Sequence, residues 1–463
     1  MLSEHRSWIT LCLVAALATG IGACSDDGPT VSEQTSFLEV QNVLVTNCGG
    51  CHTGTSSRVF KVTMDSATLH GSGLIDPADP QASLLLIKPR SSSHGGGIVA
   101  GLTDANIDFL ADWIGTQPPV QPRILVANLA FTAAMLVDGI GSEHFWTTAQ
   151  ELRVPISGGW AGEREVQLRA AYDATYVYVL ATWPDDAVSE KRQPWQKQLD
   201  GTWRALAAKQ TPADGTDWAE YLGVSFDPET AFYEDKFAIM WNTYGPSTVA
   251  GFEENGCAAM CHDPANSGRP GNTYFYSDEQ RAAKKYTNAA AEIADMWHWK
   301  LIRMNQHGKL DDQYVGFWQV GMSGPESGGR FSDAGSGGYA NNPATNGAPT
   351  FRGPDLSKFY IFDAEKVPLS AAELAAMPVG QLIANMITSG PTGTRADVDA
   401  RGKYNPFNRT WTVEMRRRLV TGDSKDVQFS DFTRDYSFGI AFFDNAQIEH
   451  SWSPLPYRLR FIR

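Results

Sequence analysis

Four of the six cysteines stand in two close pairs, and a histidine follows each pair at once. The two motifs are Cys48-Gly-Gly-Cys51-His52 and Cys257-Ala-Ala-Met-Cys261-His262. Two thiols at this spacing can each form a thioether with a vinyl group of one haem. The residue after them then reaches the iron with its imidazole. At the first pair, a zinc half-site and a redox-active dithiol are the competing chemistries. A preceding helical pattern, an export signal and the position of His52 favour haem there. At the second pair three residues separate the thiols, a rarer variant, and a disulfide between Cys257 and Cys261 competes. His262, in the same relative position as His52, favours haem again.

The other two cysteines, Cys12 and Cys24, lie in the first 24 residues. Arg6 begins this leader, Ile9 to Ala18 form its apolar core, and Ile21-Gly22-Ala23-Cys24 closes it. The core is too short to span a bilayer. Ile-Gly-Ala-Cys reads as a lipobox: residues 1–23 are a lipoprotein signal peptide and Cys24 becomes an acylated N-terminus. Cleavage near Ala23 without acylation is the simpler alternative. Polar Ser25-Asp26-Asp27 suits a tether, and residues 24–36 read as a linker. The expectation is an exported lipoprotein, periplasmic or at the cell surface, anchored to a membrane by lipid.

The formal net charge of −14 excludes nucleic acid as a partner, because phosphate backbones select basic faces. An acidic surface instead suits a basic redox partner. No Ser-His-Asp arrangement, phosphate loop or carboxylate pair offers substrate chemistry, so the expectation is a carrier of electrons and not an enzyme.

Helical periodicity begins at Phe37 and runs through FLEVQNVLVTNC into the first motif. It returns in LTDANIDFLADWIGTQ, where Thr103 can cap a helix with Leu102, Ile107, Leu110, Ala111 and Ile114 on one face. Pro118-Pro119-Val120-Gln121-Pro122 breaks the chain. Beyond it, VQLRAAYDATYVYVLATW, KFAIMW, DQYVGFWQV and YSFGIAFFD read as short strands between turns. SAAELAAMPVGQLIANMI is the clearest later helical pattern, and the Gly- and Asn-rich residues 323–355 read as one long surface loop. The expected fold is a small all-α domain over residues 37–118, then a β-sandwich with long loops over 123–463.

Residues 37–118 resemble the small cytochrome c domain of planctomycete-type exported proteins. The resemblance rests on CGGCH, GLIDPADPQASLLLIKP, HGGG at His94 to Gly97, and LTDANIDFLADWI. In that family the segment before the last helix delivers the distal iron ligand, often Met. Here it holds His94, so the resemblance implies ligation by His52 and His94. Met64 and His70 are the other nearby candidates, and His94 as a polar turn residue is the plain alternative.

Residues 125–463 resemble the haem-binding domain of the ethylbenzene dehydrogenase γ subunit, whose relatives serve molybdenum enzymes of the dimethyl-sulfoxide-reductase class. VDGIGSEHFWTTAQELRVPI, VQLRAAYDATYVYVLATWPD, DKFAIMW, MWHWK and WTVEMRRRLVTGDSKDVQFSDFTRDYSFGIAFFDN carry this resemblance. That family holds one haem b in a β-sandwich between a Met and a Lys. The inserted CAAMCH implies covalent attachment in the same pocket, with His262 in place of one family ligand. His450 is expected opposite it, Met240 is the alternative and His298 the third candidate. His450 as a surface residue is the plain reading.

Together these features predict a dihaem c-type cytochrome that moves electrons between a redox protein or membrane respiratory complex and its own haems. Two rivals remain: the electron-accepting haem subunit of a molybdenum oxidoreductase or respiratory complex, and a carbohydrate-binding-like sandwich using the 14 Trp as a sugar platform.

Overall fold

The computed structural model describes residues 31–52, 62, 69, 74–77, 79–90, 98–117, 123–130, 136–157, 161–206, 232–260, 286–287, 289–317, 329–447, 450–453 and 455–462. Two helices dominate the N-terminal part. Helix α1 (Val31–His52) begins inside the stretch expected to be linker, six residues before Phe37, and carries the first motif in its last turns. Val40, Leu44 and Cys48, one turn apart, are buried in a cluster with Ile107, Leu110 and Ile114 of helix α2 (Asp104–Thr116). Thr103 caps α2 as expected: its Oγ1 accepts from Asn106 N, and Asn106 Oδ1 accepts from Thr103 N. The reciprocal bonds satisfy two orphan donors at the helix start. Burying each large aliphatic side chain contributes roughly 1.5–3 kcal/mol, so this cluster and not the caps holds the pair together. Among the described residues no helix is long and apolar enough to cross a membrane.

The rest is β-rich. Its main sheet is built from β1 (Ile124–Leu129), β2 (Leu152–Ile156), β3 (Arg164–Tyr172), β4 (Tyr176–Pro184), β5 (Lys236–Asn242), β6 (Ala294–Lys300), β7 (Asp311–Val315), β8 (Arg330–Ser332), β9 (Asp399–Asn405), β10 (Thr410–Arg418), β11 (Tyr436–Phe443), β12 (Ser451–Trp452) and β13 (Tyr457–Ile462). The spatial order is β8-β7-β6-β5-β11-β13-β1-β3-β4-β10-β9, with β2 on β3 and β12 on β11. The long β3–β4 hairpin follows from sequence. Val166, Leu168 and Ala170 alternate into the core, and Asp173 Oδ1 accepts from Thr175 N and Tyr176 N to form the turn.

The sheet folds over on itself as a β-sandwich, because both halves present aromatic rows to one core. Trp183 on β4 stacks on Phe237 of β5 at 5.1 Å between ring centroids. Trp299 on β6 meets Trp411 of β10 at 5.1 Å, edge to face. The β9 edge is tied as well: Leu310 N donates to Val398 O and Ala400 N to Gly308 O, joining the β6–β7 connection to the start of β9. Such aromatic pairs add about 0.5–1.5 kcal/mol each beyond the area they bury.

Two expectations fail here. The stretch 323–355 is not one loop. Its described part holds β8 and the short strands Gly338–Asn341, Ala344–Thr345, Ala348–Pro349 and Phe351–Arg352. Asn342, 2% exposed, makes this possible by donating to Phe351 O and Ala384 O, a side-chain amide bridging strands too short to zip alone. The helix expected over SAAELAAMPVGQLIANMI is only Ala371–Ala376, capped by Ser370. Pro378 cannot continue it and Gly380 turns at φ +84°, after which Leu382–Ile383 and Met386–Ser389 are strands.

Candidate functional site

The first motif ends α1. Cys48 is buried against the α1–α2 cluster, His52 is half-buried, and its carbonyl accepts from Val62 N at 3.1 Å. Thus Cys48 shares an apolar cluster with Leu44, Leu110 and Ile114, and His52 follows one turn later at the end of the same helix. His94, Met64, His70 and Cys24 lie outside the described residues.

The second site is a sheet face. Along β5, Phe237, Ile239 and Trp241 point into the sandwich core, so Lys236, Ala238, Met240 and Asn242 point the other way. On β6, Trp297 and Trp299 face the core and Met296, His298 and Lys300 face outward. Met240 pairs with Met296 on one side and Gly439 of β11 on the other. Ala238, Met296, Phe443 and Ala446 form a buried cluster on this outer face, with Met240 packed against it.

Cys257 lies over the same face. It sits in the tight turn Gly256–Ala259 that follows the short helix Phe252–Asn255. A Cβ added to Gly439 would come 3.5 Å from Cys257 Sγ, so the glycine leaves the thiol room against the strand. Gly256 takes φ +58°, with Pro456 only 3.3 Å from where its Cβ would be, so another residue there would be strained. Cys261 and His262 lie outside the described residues.

His298 is the residue of this face best prepared to bind a metal. It is 1% exposed, and its Nδ1 lies 2.9 Å from Gln313 Oε1. Gln313 Nε2 is itself committed as a donor to Asp311 Oδ2 at 3.1 Å, so Gln313 Oε1 must accept from His298 Nδ1–H. The lone pair is therefore on Nε2, which is buried and has no hydrogen-bond partner among the described residues. An unsatisfied buried acceptor of this kind costs free energy unless a ligand meets it. Burial, then the charges of Lys300, Lys236 and Arg330, hold the ring well below its ordinary pKa, so it is neutral. A neutral imidazole whose other nitrogen is fixed by a hydrogen bond is the usual arrangement of a metal-binding histidine. The residues present thus fit a haem whose iron takes a nitrogen or thioether ligand.

Around His298 the support is polar and closed. Asp311, held well below the usual carboxylate range by Lys300 and Arg395 against the effect of burial, accepts from Lys300 Nζ, from Arg395 Nε at 2.6 Å and from Tyr339 OH at 3.1 Å. Phe443 stacks on the His298 ring at 5.6 Å and meets the His450 ring at 4.7 Å. His450 is half-buried and reaches the same aromatic row, and Met240 is half-buried on the same face. The structure therefore brings Met240, Cys257, His298 and His450 to one side of the sandwich. Sequence reasoning ranked His298 third. The signal for it was the alternation in MWHWK, which puts Met296, His298 and Lys300 on the face opposite the tryptophans.

No curated protein sequence matches the chain. Three solved structures align with it at low similarity. One is a carbohydrate-binding module of family 9 from Caldicellulosiruptor kristjanssonii in complex with glucose, at 7% identity and TM-score 0.28, covering 73% of this chain and 95% of that one. The same module with cellotriose gives 8% identity and TM-score 0.25, over 73% and 93%. A putative carbohydrate-binding protein from Bacteroides uniformis gives 9% and 0.27, over 73% and 99%. A family model described as ethylbenzene dehydrogenase matches residues 139–454, more than half of the sequence and nearly all of the β-sandwich; the chain belongs to the ethylbenzene dehydrogenase family.

Proposed function

We propose that the protein is an exported electron carrier with two covalently attached c-type haems. Cys48 and Cys51 hold the first, with His52 and His94 as ligands. Cys257 and Cys261 hold the second, with His262 on the tethered side. The observation that carries this reading is His298 Nε2, buried and, among the described residues, unpartnered on the sheet face over which Cys257 lies. For that reason His298, rather than His450, is the ligand opposite His262, and His450 and Met240 are the alternatives.

Bound haem would supply reversible one-electron exchange at iron. The chain's own residues do the rest. Gln313 fixes the tautomer of His298, and Asp311 fixes Gln313. Met240, Met296 and Phe443 exclude water, which favours a low-spin, ligand-saturated centre over one open to small molecules. Cys24 anchors the chain to a membrane through lipid. The partner is a redox protein or respiratory complex, and family membership favours service to a molybdenum oxidoreductase. Haem staining of a denaturing gel with intact mass spectrometry tests the proposal. Two haem masses are expected in the native chain and one after Cys257→Ser/Cys261→Ser; a native chain without covalent haem would refute it. Cys24→Ser should release the protein from membranes.

A further inference from the structure

We propose that Asp295, Asp312, Asp333 and Asp426 form a calcium site between the sheets of the sandwich, independent of either haem. Asp295 lies on β6 and Asp312 on β7. Asp333 follows β8 directly, its N donating to Asp312 O, and Asp426 lies in the loop after β10. One carboxylate oxygen from each of Asp295, Asp312 and Asp426 lies within 4.8 Å of the others. Exposures are 0% for Asp295 and Asp312 and 4% for Asp333 and Asp426.

Acidic clusters are common, but this one carries an independent sign of a missing ligand. Among the described residues both oxygens of Asp312 and Asp295 Oδ1 are buried without a hydrogen-bond partner, while the Asp333 and Asp426 carboxyls lie within reach of each other, so that one bonds the other only by holding a proton. The engaged oxygens hold the others in place. Asp295 Oδ2 accepts from Arg417 NH1 at 2.6 Å and from Val427 N at 3.0 Å, and Asp426 Oδ2 accepts from Thr421 Oγ1 at 2.6 Å. Arg417, itself fully buried, bonds Asp295 and lies 3.9 Å from Asp426, and Lys425 adds a second positive charge near Asp333, so four carboxylates still outnumber the cations that face them. Burial and mutual repulsion push Asp295 up to about 7, Asp333 up to about 8 and Asp312 well above the usual range. Such a group must take up protons or a cation.

The donor set selects the ion. It is all carboxylate, without nitrogen or sulfur, which suits a hard cation. Calcium takes six to eight oxygens in irregular geometry, whereas magnesium requires an octahedron and keeps its waters. A surface cavity of about 640 Å³, lined by Asp423, Asp426, Ser247 and Asp431 among others, leads to Asp426. In the second triad, Asp185, Asp235 and half-buried Asp444, Asp185 Oδ2 is likewise unpartnered among the described residues, but Asp235 accepts backbone N–H groups from Ser189 and Asn445, one on each oxygen.

The test uses the full haem-loaded chain. Elemental analysis should find about one calcium per chain. Dialysis against EGTA at pH 8 should lower Tm by at least about 3 °C, and 2 mM calcium chloride should restore it where magnesium does not. Asp312→Asn should abolish the calcium response while leaving the haem absorption unchanged. If that variant does not fold, the wild-type titration alone decides. No bound calcium and a Tm indifferent to EGTA and calcium would overturn the proposal, and an Asp312→Asn chain that is more stable at pH 8 would then assign protons to the group. An equal response to magnesium would overturn the assignment to calcium.

Discussion

His298→Leu separates ligation from folding at the second proposed haem. Leucine fills nearly the same volume as the imidazole against Phe443, so little cavity opens. The main structural loss is the bond at 2.9 Å to Gln313, which leaves a buried amide oxygen unpaired. That costs about 1–3 kcal/mol, and the lost ring stacking adds about 0.5–1.5 kcal/mol. A domain with roughly 5–15 kcal/mol of stability survives both, so the spectrum can be read on folded protein. Intact mass should still show two haems, because the thioethers do not involve His298. Absorption should show one of the two centres turned high-spin and binding carbon monoxide. The reasoning is refuted if His298→Leu stays fully low-spin and inert to carbon monoxide while His450→Leu or Met240→Leu becomes high-spin.

Three further outcomes follow from the geometry. Gly439→Val pushes a branched side chain towards Cys257 Sγ, 3.5 Å from the β-carbon position, so the purified chain should carry one covalent haem instead of two by intact mass. Glu414 accepts from the backbone N–H of Asp138, Gly139 and Gly141 and from Trp146 Nε1. Glu414→Ala should therefore cost on the order of 3–4 kcal/mol in urea unfolding, since each abandoned donor loses about 1 kcal/mol, and Glu414→Gln should cost clearly less. Burial, then Asp444, pushes Asp185 up to about 7, above its unfolded value of 3.8. The protonated form is thus favoured in the fold, so its contribution is complete below pH 4 and is lost as pH rises to 7. Asp185→Asn should raise stability at pH 8 by on the order of 2 kcal/mol and leave it unchanged at pH 4, measured by thermal melts.

How much of this is written in the chain depends on the range of the signal. Thr103 and Asn106 cap α2 within one turn, β3 alternates from Val166 to Ala170, and β4 is a short run rich in Val and Tyr bounded by turns, so these elements are readable directly. The strands Ala344–Thr345 and Ala348–Pro349 are two residues each, too short to show a period, and they pair with each other. The helix at Ala371 is overextended by periodicity because apolar residues continue past Pro378 into strands. The two Cys pairs, each with its following His, are visible from spacing alone. The neutral tautomer of His298 is not, because it depends on Gln313 in the next strand and on Asp311 beyond it. Nor are Asp295, Asp312, Asp333 and Asp426, which come together only once β6, β7, β8 and the loop after β10 are side by side.

Strand β1 lies parallel between β3 and β13, with Ile124 to Asn128 paired to Arg458 to Ile462. The first strand of the sandwich to be synthesised is therefore completed by the last. Until residue 462 is available, one edge of β1 presents unpaired N–H and C=O groups, the feature by which sheets recruit strands from other molecules. The helices α1 and α2, with their shorter-range contacts, have no such wait. A chain stopped before Tyr457 keeps both Cys-His motifs yet cannot finish its sheet, and its open edge is a standing invitation to strand exchange with a second copy.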